Sequence, residues 1–248
     1  MSGTASLGCW RRLAWDSEQF GIEIARLEPP RMSFGDLKSS LKACERVGVE
    51  LAYWTVDPQD DTSNAAALAW GGRLVDQRCV YERLLSVDDR MHGVGQVAEA
   101  RMLSARSREL LAQLALQSGE RSRFKIDANM PGGAWEGLYR TWMTRSLAHE
   151  IADAVLIETE GDDPIGVITL ARRESSGVIG LFSVDAAQRG RGVGTVLLSR
   201  ALDWFQRAGC DRVEVATQGE NVGARRVYER AGFRLATQAN VFHFWMNR

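Results

Sequence analysis

Metal centres and disulfide frameworks are what this sequence has least material for. Its four cysteines, Cys9, Cys44, Cys79 and Cys210, stand far apart without a Cys-x-x-Cys spacing, and its three histidines, His92, His149 and His243, are equally scattered. Buried free thiols are therefore expected, and zinc chemistry has little support. Charge of one sign is also missing: 31 basic residues face 32 acidic ones, so no global field favours nucleic acid or an anionic membrane. The longest apolar runs have strand length, too short to span a bilayer. The opening Met-Ser-Gly-Thr-Ala-Ser-Leu-Gly lacks the basic and apolar regions of a secretory leader. These absences predict a cytoplasmic protein with no metal, no nucleic-acid partner and no membrane partner.

Glycine, in contrast, is plentiful at 24 residues, and one glycine-rich stretch organises the chain. It runs Val184-Asp185-Ala186-Ala187-Gln188-Arg189-Gly190-Arg191-Gly192-Val193-Gly194-Thr195. A β-branched, strand-length run (177–183) precedes it. Val196, Leu197, Ala201, Trp204 and Phe205 follow at helical period and stop at Gly209. A glycine turn between a strand and a helix N-terminus suits a phosphate: free N–H groups and the helix dipole point the same way. No Gly-Lys-(Ser/Thr) triplet supports a Walker loop, and the glycine spacing does not match a dinucleotide fingerprint. A tight connection without a ligand is the structural alternative.

Read in order, 22–27 predicts a strand, 34–47 a helix, 51–56 a strand, 63–70 a helix and 73–85 a strand region. Periodicity lapses over 86–105, expected to be a linker. Helices follow at 106–118 and 134–149, then strands at 154–160, 165–173 and 177–185. A helix at 192–208, a strand at 212–217, a helix at 221–230 and a strand region at 233–246 complete the chain. The expected class is α/β with a mixed sheet, in two domains, 1–85 and 106–248. A weak repeat supports this: 46–55 aligns with 207–216, and Asn64 and Gly71-Gly72 echo Asn221 and Gly232-Phe233. Chance similarity between αβαβ units is the alternative. The first half has no counterpart of the glycine loop.

The second motif is Asn221-x-x-Ala224-x-x-x-Tyr228-Glu229-x-x-Gly232-Phe233. Asn221 stands where a helix N-cap belongs, glycine closes the helix, and Tyr228 lies two turns along the same face. A lone helical tyrosine is usually a packing residue. With the glycine loop ahead of it in order, the pair resembles the GCN5-related N-acetyltransferases (GNAT), and Arg189, Gly192 and Gly194 fit that superfamily's pyrophosphate loop. Flanking features resemble its nucleotide-sugar branch, the dTDP-fucosamine acetyltransferases, which acetylate dTDP-4-amino-4,6-dideoxygalactose. They are Trp15-Asp16-Ser17-x-x-Phe20-Gly21, Arg123-Phe124-x-x-Asp127, Leu138-Tyr139-x-x-Trp142-x-x-x-Ser146, Ile151-Ala152-Asp153-Ala154, Thr217-Gln218-Gly219-Glu220-Asn221 and Phe242-His243-x-Trp245.

The resemblance implies a full GNAT fold in the C-terminal domain and a truncated GNAT-like N-terminal one. It implies acetyl-CoA as co-substrate, held where two strands splay, with Phe182, Ser183 and Val184 pairing the pantetheine. Arg189, Gly190, Arg191, Gly192, Val193, Gly194 and Thr195 would hold the pyrophosphate. Asn221, Ala224, Arg225 and Tyr228 would also line the cofactor site, Arg225 with Arg226 reaching toward the 3′-phosphate. Backbone N–H near Val184 would polarise the thioester, and Tyr228 would be the general acid at sulfur, with no covalent enzyme intermediate. For the base that takes the amine proton, Glu150, Asp153, Glu158 and His243 stand as alternatives beside a water relay. Trp15-Asp16-Ser17 shapes the sugar pocket or is a structural corner. The expected partner is a small nucleotide-linked amino sugar, with a homodimer as the assembly. Another amine (a protein N-terminus, a polyamine, an antibiotic) and a non-catalytic acyl-CoA sensor remain as further readings.

Overall fold

The computed structural model describes residues 10–86 and 102–246. Cys9, His92 and most of the expected linker lie outside the described residues. The chain forms two compact units that interleave in sequence. One takes the described residues up to Arg78, Ile126–Ala134 and those from Gln238 on; the other takes Cys79–Lys125 and Trp135–Thr237.

In the first unit, β1 (Trp10–Arg12), β2 (Ile24–Leu27), β3 (Leu51–Val56) and the end of β9 (Arg234–Trp245) lie in the order β1-β2-β3-β9. β2 and β3 are parallel, and β3 runs antiparallel to β9 with Leu51 opposite Trp245 and Val56 opposite Asn240. The near-continuous apolar β3, Leu-Ala-Tyr-Trp-Thr-Val, is buried at every position but Thr55, as a strand covered on both faces must be. Helix α2 (Phe34–Arg46) buries Leu37, Leu41 and Cys44, one face at helical spacing, into a core with Trp54, Phe242 and Phe244. Helices α1 (Ala14–Phe20) and α3 (Asp61–Ala69) complete the unit. At seven residues α1 is too short to show a period, and the sequence reading has no helix there. Buried Ser17 explains the local motif: its hydroxyl donates to the Leu13 carbonyl at 2.9 Å and accepts from the Ile24 amide at 3.0 Å. Ser17 therefore makes a structural corner.

β4 (Arg73–Leu84) runs from the first unit into the second. The second unit holds α4 (Ala105–Ser118), α5 (Arg123–Ile126, up to Lys125) and α6 (Ala134–Leu147, from Trp135). Its sheet strands are β5 (Ala154–Glu160), β6 (Asp163–Arg173), β7 (Ser176–Val184) and β8 (Arg212–Gln218), ordered β8-β7-β6-β5. β5, β6 and β7 are antiparallel neighbours, and β7 runs parallel to β8. The parallel pair needs a crossover, and α7 (Val193–Arg207) supplies it. Leu197, Leu198, Ala201, Leu202 and Phe205 put the buried stripe of α7 onto the core. Helix α8 (Val222–Arg230) then leads into β9. The mixed α/β class is as the sequence predicts, with ends displaced by one to a few residues where helices fray.

The repeat is present, in a register the sequence reading set differently for its second helix. Gly48 and Gly209, and Gly71 and Gly232, all take positive φ after a helix. The residue that matches Asn221 at the same sequence offset is Asp60, which caps α3 by accepting from the Ser63 amide at 3.1 Å. Asn64 sits one turn inside α3 and donates to the carbonyls of Asp57 and Asp60. In this register the counterpart of Tyr228 is Ala67, which is fully buried and carries no polar group.

Candidate functional site

The site begins with a break in the pairing of β7 and β8. Their parallel register covers Ser176↔Arg212 to Ile179↔Val215 and stops there, although β7 continues to Val184 and β8 to Gln218. The far halves, Gly180–Val184 and 216–218, therefore diverge. At the same level a β-bulge breaks the register on the other side of β7. Ile168 pairs with Phe182 but Leu170 pairs with Ile179, so Thr169 faces both Gly180 and Leu181. The Thr169 hydroxyl accepts from the Leu181 amide at 2.8 Å. A Cβ on Gly180 would stand 2.7 Å from that hydroxyl oxygen, so only glycine permits the approach. Neither Thr169 nor Gly180 belongs to a motif; a glycine inside a strand pattern is the one local signal of the bulge.

The glycine loop leaves the open end of β7. Gly190 and Gly192 have φ of +79° and +85°, where a side chain is strained. Gly192 is the N-cap of α7, and no side chain caps the helix. The first intrahelical bond runs from the Val196 amide to the Gly192 carbonyl, so the amides of Val193, Gly194 and Thr195 precede the ladder. The same place in the first unit is closed. Residues 28–33 there include Pro29 and Pro30, which lack amide hydrogens, and Ser33 and Asp36 form a capping box on α2. The chain's own carboxylate thus occupies the anion position of α2, whereas the N-terminus of α7 carries no such occupant.

Arg189 folds back, donating to the Val184 carbonyl at 3.1 Å and to Gln117 Oε1 at 3.3 Å. Gln117 also accepts from the Ala186 amide and donates to Asp185, tying the loop to α4. No motif along the chain marks Gln117. Arg191 contacts Gln188 and lies 3.7 Å from Glu160.

Helix α8 carries the second motif. Asn221 is its N-cap, with Oδ1 accepting from the Ala224 amide at 3.3 Å. Tyr228 is 4% exposed, its ring centroid 6.2 Å from Phe182, 5.9 Å from Phe233 and 5.9 Å from Tyr81. Burial pushes its phenol well above the usual tyrosine value, so the hydroxyl keeps its proton through neutral pH. Half-buried Arg225 donates from Nε to the Tyr81 hydroxyl at 2.9 Å and from Nη1 to the Gly219 carbonyl at 3.0 Å.

The four candidate bases are dispersed. Glu150 pairs with Arg145 at 2.8 Å, Asp153 accepts from the Arg172 amide at 2.6 Å, and Glu158 contacts Arg200. His243 belongs to the first unit, fully buried, with Nδ1 2.7 Å from Asp127 and its ring stacked on Tyr53. It is a core histidine. Among the described residues no group of three His, Cys, Asp or Glu could hold a metal. Cys44, Cys79 and Cys210 are buried thiols outside any disulfide, and burial pushes Cys44 up to about 12, far from a reactive thiolate. No described helix is long and apolar enough to cross a membrane.

Comparison with known proteins bears on the same residues. Residues 126–233 match the acetyltransferase (GNAT) family model. Over 59 residues the chain is 46% identical to a mycothiol acetyltransferase of Beutenbergia cavernae, covering 24% of this chain and 20% of that protein. Over 137 residues it is 25% identical to the spore coat polysaccharide biosynthesis protein SpsD of Bacillus subtilis, covering 55% of this chain and 47% of that one. The matches thus span less than half the length of either relative. A GCN5-related N-acetyltransferase structure from Sphaerobacter thermophilus superposes with a TM-score of 0.63 at 15% identity, over 95% of this chain and 76% of that one. A tandem GNAT protein from the clavulanic acid biosynthesis pathway superposes at 0.54 and 16% identity, over 91% and 76%. That likeness of fold matches the repeat seen in the two units. It is over residues 126–233 that this chain is similar to the acetyltransferase (GNAT) family.

Proposed function

We propose that this chain is an acetyl-CoA-dependent N-acetyltransferase whose acceptor is the amino group of a nucleotide-linked 4-amino-deoxy sugar. The observation that carries the reading is the meeting of two open features in one unit. β7 parts from β8 at Ile179/Val215, and the loop leaving that strand ends at a helix N-terminus without a side-chain cap. An extended amide-bearing arm followed by a pyrophosphate fits such a strand edge and such a helix end. Bound there, acetyl-CoA supplies an acyl group as a thioester. Amides along Gly180–Val184 hold and polarise it, the amides of Val193–Thr195 take the pyrophosphate, and Tyr228 holds the proton destined for the leaving sulfur. The acceptor nitrogen gains the acyl carbon as the carbon–sulfur bond breaks; it loses one proton to water or a base, and sulfur gains one from Tyr228. A sugar acceptor is supported by the flanking motifs and by the match to a polysaccharide biosynthesis protein.

The test is acetyl transfer and thiol release across a panel of amines, with dTDP-4-amino-sugars followed by mass spectrometry. A mass gain of one acetyl group on the amino sugar, absent with its 4-hydroxy analogue, is expected. Transfer to peptide N-termini or polyamines alone would overturn the sugar reading and leave the N-acetyltransferase one standing. No acetyl transfer to any amine would overturn both.

A further inference from the structure

Tyr228 packs against three aromatic rings, those of Tyr81, Phe182 and Phe233. One of the three rings has a second connection. Tyr81, on β4, is 1% exposed, and its hydroxyl lies between two side chains of α8. It donates to Glu229 Oε1 at 2.9 Å and accepts from Arg225 Nε at 2.9 Å. Arg225 and Glu229 bracket Tyr228, three residues before it and one after. Arg225 continues to the Gly219 carbonyl, just ahead of the Asn221 cap. A chain of three hydrogen bonds thus runs from the entry of α8 to its last turn and is anchored midway by one phenol. Burial raises the Tyr81 phenol, so it stays a donor to Glu229 at neutral pH.

From this geometry we infer that Tyr81 is a positioning residue for Tyr228: its hydroxyl pins α8 along its length and sets where the Tyr228 hydroxyl stands. The inference rests on the general-acid reading of Tyr228. Proton transfer at sulfur depends on reach and angle, and displacement of about 1 Å can cost about a hundredfold in rate. Without the Tyr81 hydroxyl, Arg225 and Glu229 stand four residues apart on one helix face and pair with each other. The fold survives that exchange, but the tie between helix and strand is lost. The sequence marked β4 as a strand region and gave Tyr81 no role.

The experiment is a double-mutant cycle of Tyr81→Phe and Tyr228→Phe, read as kcat and KM with acetyl-CoA and the best amine acceptor. Glu229→Ala serves as a second route to the same tie, removing its acceptor without disturbing the interior. Tyr81→Phe is expected to lower kcat about tenfold with both KM values within about twofold, and to cost nothing further in the Tyr228→Phe background. Glu229→Ala should lower kcat in the same direction. Equal losses in both backgrounds, or kcat unchanged in Tyr81→Phe and Glu229→Ala while Tyr228→Phe is slow, would overturn the positioning role and leave the acid. A neutral Tyr228→Phe would instead overturn the acid reading, and the positioning role with it.

Discussion

A phenol that donates to a departing thiolate is needed at the transition state and little before it. Tyr228→Phe should therefore lower kcat and leave both substrates bound, by roughly 10²–10⁴-fold for the loss of a general acid. The ring contacts with Phe182, Phe233 and Tyr81 survive the change, so thermal stability should move little. Because burial raises the phenol, its deprotonation lies above the ordinary tyrosine value of about 10. The wild-type rate should show no alkaline decline from this group below about pH 10. Steady-state kinetics from pH 6 to 10 check both points; a Tyr228→Phe rate within about threefold of wild type, with release shown not to limit, would leave the residue to packing.

Among elements, the N-terminus of α7 is the one whose openness has a measurable price. Gly192→Val places a β-branched side chain at φ +85° and beside three free amides. The strained cap should raise the KM for acetyl-CoA by about tenfold or more, with the acceptor KM and kcat nearly unchanged. Isothermal titration with CoA reads the same loss directly, and an unchanged affinity would return the loop to a plain connection. The loop and the Asn221 cap were legible in the sequence because each is a local pattern: glycines at fixed spacing, a capping residue, a glycine stop. The splay was not. It coincides with the meeting of Thr169 and Gly180 across two strands, and no window along the chain contains both. The true partner of Asn221 in the repeat was missed for a related reason, since both Asp60 and Asn64 are capping residue types and only the Ser63 bond distinguishes them.

The whole molecule does not divide where its sequence loses periodicity. The first unit takes back Ile126–Ala134 and the end of β9 from Gln238 on, where Asp127 meets His243 and Trp245. Such an exchange of distant segments is invisible to composition, and the motif pairs Arg123-Phe124-x-x-Asp127 and Phe242-His243-x-Trp245 gave no hint that they meet. Removing residues 1–85 would strip β9 of its partner β3 and bare Phe242 and Phe244, both nearly fully buried. The shortened chain is expected to aggregate or to lose its cooperative melt, as judged by size-exclusion chromatography with light scattering and by calorimetry. A monodisperse, fully active product would show that residues 1–85 are dispensable.

The parting of β7 and β8 has a consequence for how the second unit responds to its ligand. Amides that lack a ladder partner on one side belong to the low-stability end of a fold, exchanging with solvent through small local openings. A strand-like ligand lying along Gly180–Val184 supplies the missing rung, so occupancy and local rigidity rise together. At a hundred times its Kd such a ligand adds about 2.7 kcal/mol to the stability of whatever folds with it. On the proposed reading, the stretch of β7 that would receive the acyl donor is in this way also the stretch whose stiffness would report it.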